Sequence, residues 1–178
     1  MASVELVILV GIQASGKTTF YRRHLQGDYL HVSLDNWRGK GNVRRKEHQA
    51  IMDGLSAAAS SEGTVRGVVV DNTNTTVETR KRYFQQAGEF ARAAGCGVRM
   101  IAYFFDANLA GCLARNTRRP ADAPAGAGYY VPPAAIASFQ KRLQPPTRAE
   151  GFEKILRVRI TDEGGFAVDE EPPAQGPP

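Results

Sequence analysis

Val7-Ile8-Leu9-Val10-Gly11-Ile12-Gln13-Ala14-Ser15-Gly16-Lys17-Thr18-Thr19 is the stretch whose reading decides the fold. An apolar run closes at Val10, a loop follows, and a helix-compatible segment opens near Lys17. Between Gly11 and Thr18 the loop has the spacing G-x-x-x-x-G-K-[ST]. Gly11 and Gly16 let the backbone turn sharply and bring its N–H groups close to phosphate oxygens. The helix start adds unpaired donors and the positive end of a dipole. Lys17 reaches the β and γ phosphates, and the Thr18 hydroxyl is a ligand for Mg²⁺. The loop therefore predicts a nucleoside triphosphate site built from Gly11, Gln13, Ala14, Ser15, Gly16, Lys17, Thr18 and Thr19.

Working outward, the chain has 178 residues, enough for one domain with a sizeable core. No apolar run approaches the ~20 residues that span a bilayer. Residues 1–5 carry no basic leader and run straight into a strand, which predicts a cytoplasmic protein, or a nuclear one in a eukaryote. Cys96 and Cys112 are too few and too unpatterned for a disulfide framework or a zinc site. The net charge of +5 hides an asymmetry. Residues 162–178 hold five acids and no Lys or Arg, which leaves residues 1–161 with a balance of +10. A body this basic favours polyanionic partners.

Apolar runs alternate with helical patterns, so the expected architecture is α/β: a parallel sheet of about five strands flanked by helices. The expected strands are residues 5–10, 29–33, 65–71, 98–105 and 155–160. The expected helices are 16–25, 44–60, 76–94, one opened by Asp106 and running to 117, and one from 132 to 143. Residues 117–132 are rich in Pro, Gly and Ala and read as a mobile lid. Residues 162–178, acidic and Pro-rich, read as a disordered tail, leaving 1–161 as the domain.

Three further stretches carry chemistry. Asp35 and Arg38 follow the second strand, at the edge where ligands bind in open α/β sheets. An aspartate there accepts or orients the proton of an attacking hydroxyl, and an arginine forks onto an acceptor phosphate. Asp71 closes the buried run Val68-Val69-Val70, placed to hold Mg²⁺ through water, and Thr73 and Asn74 follow as acceptor-side donors. Arg115, Arg118 and Arg119 end a helix at the lid. There they either neutralise charge on a transferring phosphoryl group or merely answer the helix dipole. Arg44 and Arg45, with Lys40 and Lys46, add a basic approach to the acceptor side, and Trp37, Tyr129 and Tyr130 offer rings for base stacking.

In this order, GxxxxGKT, Asp35-x-Trp37-Arg38, Val68-Val69-Val70-Asp71-Asn72-Thr73-Asn74, Leu113-Ala114-Arg115-Asn116-Thr117-Arg118-Arg119 and a Val131-Pro132 lid exit, the chain resembles polynucleotide 5′-kinases of the phage and animal-repair types. The resemblance covers about residues 4–160 and includes Gln144-Pro145-Pro146-Thr147-Arg148-Ala149-Glu150-Gly151-Phe152. It implies a P-loop kinase fold with ATP as donor, Mg²⁺, and nucleic-acid 5′-OH ends as partners. It also implies Asp35 as general base, Arg38 on the acceptor's adjacent phosphate, Lys17 and Arg119 on the transferring group, and Arg115 as a second nucleotide contact. The animal pattern aligns its acid with Asp71, the phage pattern with Asn72. No second-domain motif of the phosphatase type is present, and no protein partner is readable. Two alternatives share the same core: a small-molecule or nucleotide-sugar kinase of the zeta-toxin-like group, and a nucleotide-binding module without transfer activity.

Overall fold

The computed structural model describes residues 3–60, 64–121 and 128–172. The most apolar run of the chain becomes the middle of its sheet. β1 (Ser3–Val10) lies between β3 (Gly67–Asp71) and β4 (Gly97–Phe105), with Val7 opposite Val69 on one side and Ile101 on the other. β2 (Tyr29–Val32) extends the sheet beyond β3, and β5 (Lys154–Ile160) extends it beyond β4, all in parallel. A parallel sheet covered on both faces calls for strands apolar at every position, which is how β1 and β3 read. Gly67 is required where it stands: a Cβ there would sit 1.8 Å from the Glu5 carbonyl oxygen.

Strand alternation sorts the core into two faces. Leu6, Ile8, Val10, Val68 and Val70 face α2 (Val43–Ser60) and α3 (Val77–Ala94), meeting Ile51, Leu55, Tyr83, Ala87 and Phe90. Val7, Leu9 and Val69 face the other way, onto Phe20, Tyr21 and Leu25. Those residues belong to α1 (Lys17–Phe20) and the π-helical turn Tyr21–Leu25 that continues it. A third, smaller cluster lies beside the phosphate-binding loop, where Ile12 and Ala14 meet Cys112 of α4 (Leu109–Asn116) and Ile136 of α5 (Pro133–Arg142). The expected α/β class and parallel core hold. No helix of the described residues is long and apolar enough to cross a membrane.

Two expectations need correcting. Asp106 does not open α4. Asn108 does, its side chain accepting the Gly111 N–H at 2.7 Å, while the Asp106 backbone N–H bonds the Val158 carbonyl. The acidic segment also holds a strand. β6 (Phe166–Glu170) turns back antiparallel on β5 and makes the sheet six-stranded, in the order β2-β3-β1-β4-β5-β6. Its acids face basic residues of β5: Asp169 meets Arg159, Glu170 lies 3.7 Å from Lys154, and Glu171 just beyond lies 3.6 Å from Arg157. The charge asymmetry of the sequence is in part a cross-strand pairing. Residues 122–127, the middle of the expected lid, and residues 173–178 of the expected tail lie outside the described residues.

Candidate active site

The site forms at the carboxyl ends of β1, β2 and β3, around a cavity of about 310 Å³. Residues 13–19 make its floor, Leu34, Asp35 and residues 71–73 one wall, and Arg119, Gly128, Tyr129, Val131 and Phe139 the other. Among the nucleotide-site residues expected from the motif, Gly11 stands apart. Its N–H bonds the Thr73 carbonyl at 2.9 Å, and a Cβ on it would crowd Ser15 Oγ at 2.8 Å and Phe105. It anchors the loop to β3 and does not face the cavity. Gly16, at φ +100°, is the left-handed residue that turns the loop into α1.

Lys17 curls back over its own loop. Its Nζ donates to the carbonyls of Gly11 at 2.9 Å and Ile12 at 2.7 Å, and lies 3.4 Å from Ser15 Oγ. Burial lowers its pKa to about 8, although the Asp71 carboxylate pulls the other way. This is a cation with no anion within hydrogen-bonding distance, held at the edge of a phosphate-sized opening.

Asp71 is buried at the end of β3. One carboxylate oxygen, Oδ2, accepts the Thr18 hydroxyl at 2.6 Å and lies 3.1 Å from His31 Nε2. Burial alone would raise its pKa, but the His31 hydrogen bond, the Lys17 charge and the Thr18 hydroxyl hold it below the ordinary carboxylate range. Thr18 and Asp71 together offer a hydroxyl and a carboxylate side by side. Hard oxygen donors of this kind, with room for retained waters, suit Mg²⁺. No cluster of three or more His, Cys, Asp or Glu suited to a metal occurs among the described residues.

Asp35 sits in a 3₁₀ turn, Leu34–Trp37, just past β2. Burial, and next the nearby Asp71 charge, raise its pKa, with Arg38, Lys17 and Arg119 opposing. Across the cavity Arg119 feels the opposite desolvation, which lowers its pKa. Arg38 does not line the cavity; its guanidinium carbon lies 3.8 Å from the centre of the Tyr129 ring. Arg38, just past β2, and Tyr129, just before α5, thus form one stacked pair.

The remaining expected residues divide. Thr73 lines the cavity, whereas Asn74 does not. Asn74 is buried at φ +47°, donating to the Leu9 carbonyl at 2.9 Å with its Oδ1 3.1 Å from the Tyr83 hydroxyl, so it braces the ends of β1 and β3. Arg115 lies against the loop from outside, its Nε donating to the Ala14 carbonyl at 2.7 Å. Arg118 is exposed on α4's far end. Arg44 and Arg45 open α2 away from the cavity, with Arg44 paired to Glu47 at 3.2 Å. Trp37 packs against the core on the α2–α3 face.

The roles of His31 and Asn116 were not visible in the sequence. His31 stacks on Tyr21 at 4.4 Å and steadies Asp71, and Asn116 grips Val131 with both ends of its amide, at 2.7 and 3.0 Å. The segment entering α5 is therefore tied to α4. The one available signal was an Asn inside an arginine-rich helix end.

A family model matches residues 6–146, the greater part of the chain. The chain belongs to the AAA domain family AAA_33. A curated relative, the bifunctional polynucleotide phosphatase/kinase of Schizosaccharomyces pombe, is 29% identical over 160 residues. The match takes in 86% of this chain and 33% of that protein, so the chain spans about a third of its relative's length. Among solved structures, a fungal RNA kinase superposes with a TM-score of 0.63 at 15% identity, covering 92% of this chain and 78% of that one. A sugar kinase from Janibacter superposes with a TM-score of 0.54 at 14% identity, covering 88% and 85%. At these identities the structural neighbours establish the P-loop kinase fold, and they include both an RNA kinase and a sugar kinase. Family and homologue together support a phosphotransferase.

Proposed function

We propose that this protein transfers the γ-phosphoryl group of ATP to the 5′-hydroxyl of DNA or RNA. One observation carries the reading. Asp35, a half-buried carboxylate with a raised proton affinity, shares one cavity with Lys17, Thr18 and Arg119, whose chemistry suits a triphosphate. A protein that only bound nucleotide has no need of a base opposite its cation. The identity with a polynucleotide phosphatase/kinase supports the choice of acceptor.

In the proposed reaction the loop N–H groups of residues 13–19 receive the phosphate oxygens, and Lys17 leaves its own carbonyls for the β and γ phosphates. The 5′-hydroxyl donates to Asp35. As its oxygen bonds to the γ-phosphorus, the bond from that phosphorus to the β–γ bridging oxygen breaks. The hydroxyl proton passes to the Asp35 carboxylate. Lys17 and Arg119 meet the charge on the equatorial oxygens. Thr18, and Asp71 through water, would hold a Mg²⁺ ion, whose chemistry there would be to neutralise phosphate charge. Arg38, released from Tyr129 or still stacked on it, takes the acceptor's adjacent phosphate.

A second reading, a kinase for a small hydroxyl acceptor, is favoured by Arg44. Its guanidinium turns to Glu47, and the basic approach is weaker than the sequence suggests. The test is transfer from labelled ATP to a 5′-OH oligonucleotide, its 5′-phosphorylated twin and a panel of sugars. Transfer to the first alone, with affinity falling steeply as salt rises, supports the proposal, since each phosphate contact on a single strand adds a slope of roughly −0.7. In the double variant Arg44→Ala, Arg45→Ala that slope should shrink by up to ~2 with KM for ATP unchanged. Transfer to a sugar, or a flat salt response, favours the small acceptor.

A further inference from the structure

Behind the cavity wall lies a polar cluster built on a buried carboxylate, Glu47, that the proposed reaction does not use. Glu47, on α2, is 1% exposed. A carboxylate at that depth costs several kcal/mol unless it is fully partnered. It is partnered by Asn72 Nδ2 at 2.7 Å, the Tyr83 hydroxyl at 3.0 Å, Arg44 at 3.2 Å and Arg82 at 3.5 Å. Four groups from three elements converge on one acid, and only Asn72 among them also reaches the cavity.

The other end of the Asn72 amide explains why. Its Oδ1 accepts the Leu34 N–H at 2.9 Å. Leu34 begins the 3₁₀ turn that carries Asp35, and the next N–H, that of Asp35 itself, goes to Ser33 Oγ at 3.3 Å. Of these two bonds the Ser33 one is local. The Asn72 bond joins the turn to β3, the strand whose last residue, Asp71, holds Thr18 of the phosphate-binding loop at 2.6 Å. The amide cannot flip without loss, because a carboxylate only accepts and a backbone N–H only donates. Glu47 therefore fixes which way Asn72 points.

We infer that Asn72 is a positioning residue that sets the place of Asp35 relative to the donor phosphates, with Glu47 holding its amide in register. The inference rests on Asp35 being the acceptor-side base. Misplacing a reacting group by about 1 Å costs on the order of 10²-fold in rate, so a single hydrogen bond to the neighbouring backbone has enough leverage to matter.

The experiment combines Asn72→Ala with Asp35→Asn. Asn72→Ala alone should lower single-turnover transfer by ~10- to 100-fold while ATP binding stays within about twofold of wild type, because none of the phosphate contacts passes through Asn72. In the Asp35→Asn background the same change should cost less than about twofold, since residues acting through one group are not additive. A purely structural role predicts the full loss in both backgrounds. Should the alanine variant not fold, Asn72→Ser keeps a hydroxyl too short to span both partners and is read by the same comparison. Wild-type turnover in the Asn72 variant, or equal losses in both backgrounds, overturns the inference while leaving the Asp35 reading intact. Wild-type turnover in Asp35→Asn alone removes that reading, and the inference with it.

Discussion

The two ends of the sheet bury a carboxylate each and treat it in opposite ways. At the amino end Glu5, on β1, accepts from the Tyr29 hydroxyl, from Arg66 at 3.1 Å and from Arg99 at 2.8 Å, and Arg99 bridges onward to Glu153. The neighbouring acid pushes the Tyr29 phenol up, burial being the larger cause. At the carboxyl end Asp71 has a hydroxyl and an imidazole, while Lys17 has only carbonyl oxygens of its own loop and a serine hydroxyl. The amino end is a closed set of charges with matched partners. The carboxyl end also sets the buried Lys17 cation and the half-buried Asp35 carboxylate, whose proton affinity burial raises, on one opening. Buried polarity by itself therefore marks neither end as functional; incomplete pairing around a cavity does.

The strongest way to break that contrast is Asp35→Asn. Turnover should fall by ~10²–10⁴ with ATP affinity retained, and the acidic limb of the wild-type pH–rate profile, lying above the ordinary aspartate range because burial and Asp71 raise this group, should disappear. A collapse of ATP affinity with normal turnover of the bound complex would place Asp35 in the nucleotide site.

Lys17→Met should cost ~10²–10³ in turnover, and it should also change stability. With the folded pKa at about 8 against 10.5 for the free side chain, the unfolded chain binds the extra proton between those values, so wild-type stability rises with pH across that window. Below pH 8 the burial penalty is present in full. Denaturant titrations should find the Met variant more stable at pH 7 by up to ~3 kcal/mol, and the gap should close towards pH 10.5. A gap that does not change with pH would mean that Lys17 is solvated.

At the amino end the expected signs reverse. Glu5→Gln keeps the shape and removes the charge that Arg66 and Arg99 share, so stability should drop by ~1–3 kcal/mol with turnover at saturating substrate unchanged. A loss of turnover at constant stability would show that the closed end talks to the open one. The smallest effect is expected for Phe166→Ala. Phe166 meets Phe20 edge-on at 5.2 Å and is only half-buried, so about 1 kcal/mol is expected, read as a shift in the urea midpoint.

These contrasts were unequally visible in the amino-acid order. The loop from Gly11 to Thr18 was legible because its meaning is local: eight consecutive residues specify turn, donors, cation and hydroxyl. Asp35 and Asp71 were legible because each follows a short apolar run, and strand ends are where parallel sheets bind. His31, Asn72 and Asn116 were opaque as functional groups, since what each does depends on pairing with residues 15 to 40 positions away. Asn74 misled for the same reason: a polar residue beside a site reads alike whether it faces ligand or braces backbone. β6 was hidden by composition. Its Gly164-Gly165 turn and the alternation that follows are hairpin signals, but its acids suggest a solvated tail until β5 supplies the bases opposite.

One contact carries a consequence for how the protein comes to life on the ribosome. A Cβ on Gly16 would meet the Phe166 ring at 3.2 Å and Ile160 at 3.3 Å, so the turn that shapes the phosphate-binding loop is walled by residues from the last hairpin. The loop precedes its wall in the chain, so it is synthesised first. Until residues 160–166 emerge, the nascent chain holds a motif without its enclosure. Competence to grip a triphosphate should therefore wait for the β5–β6 hairpin, as a property of the finished sheet.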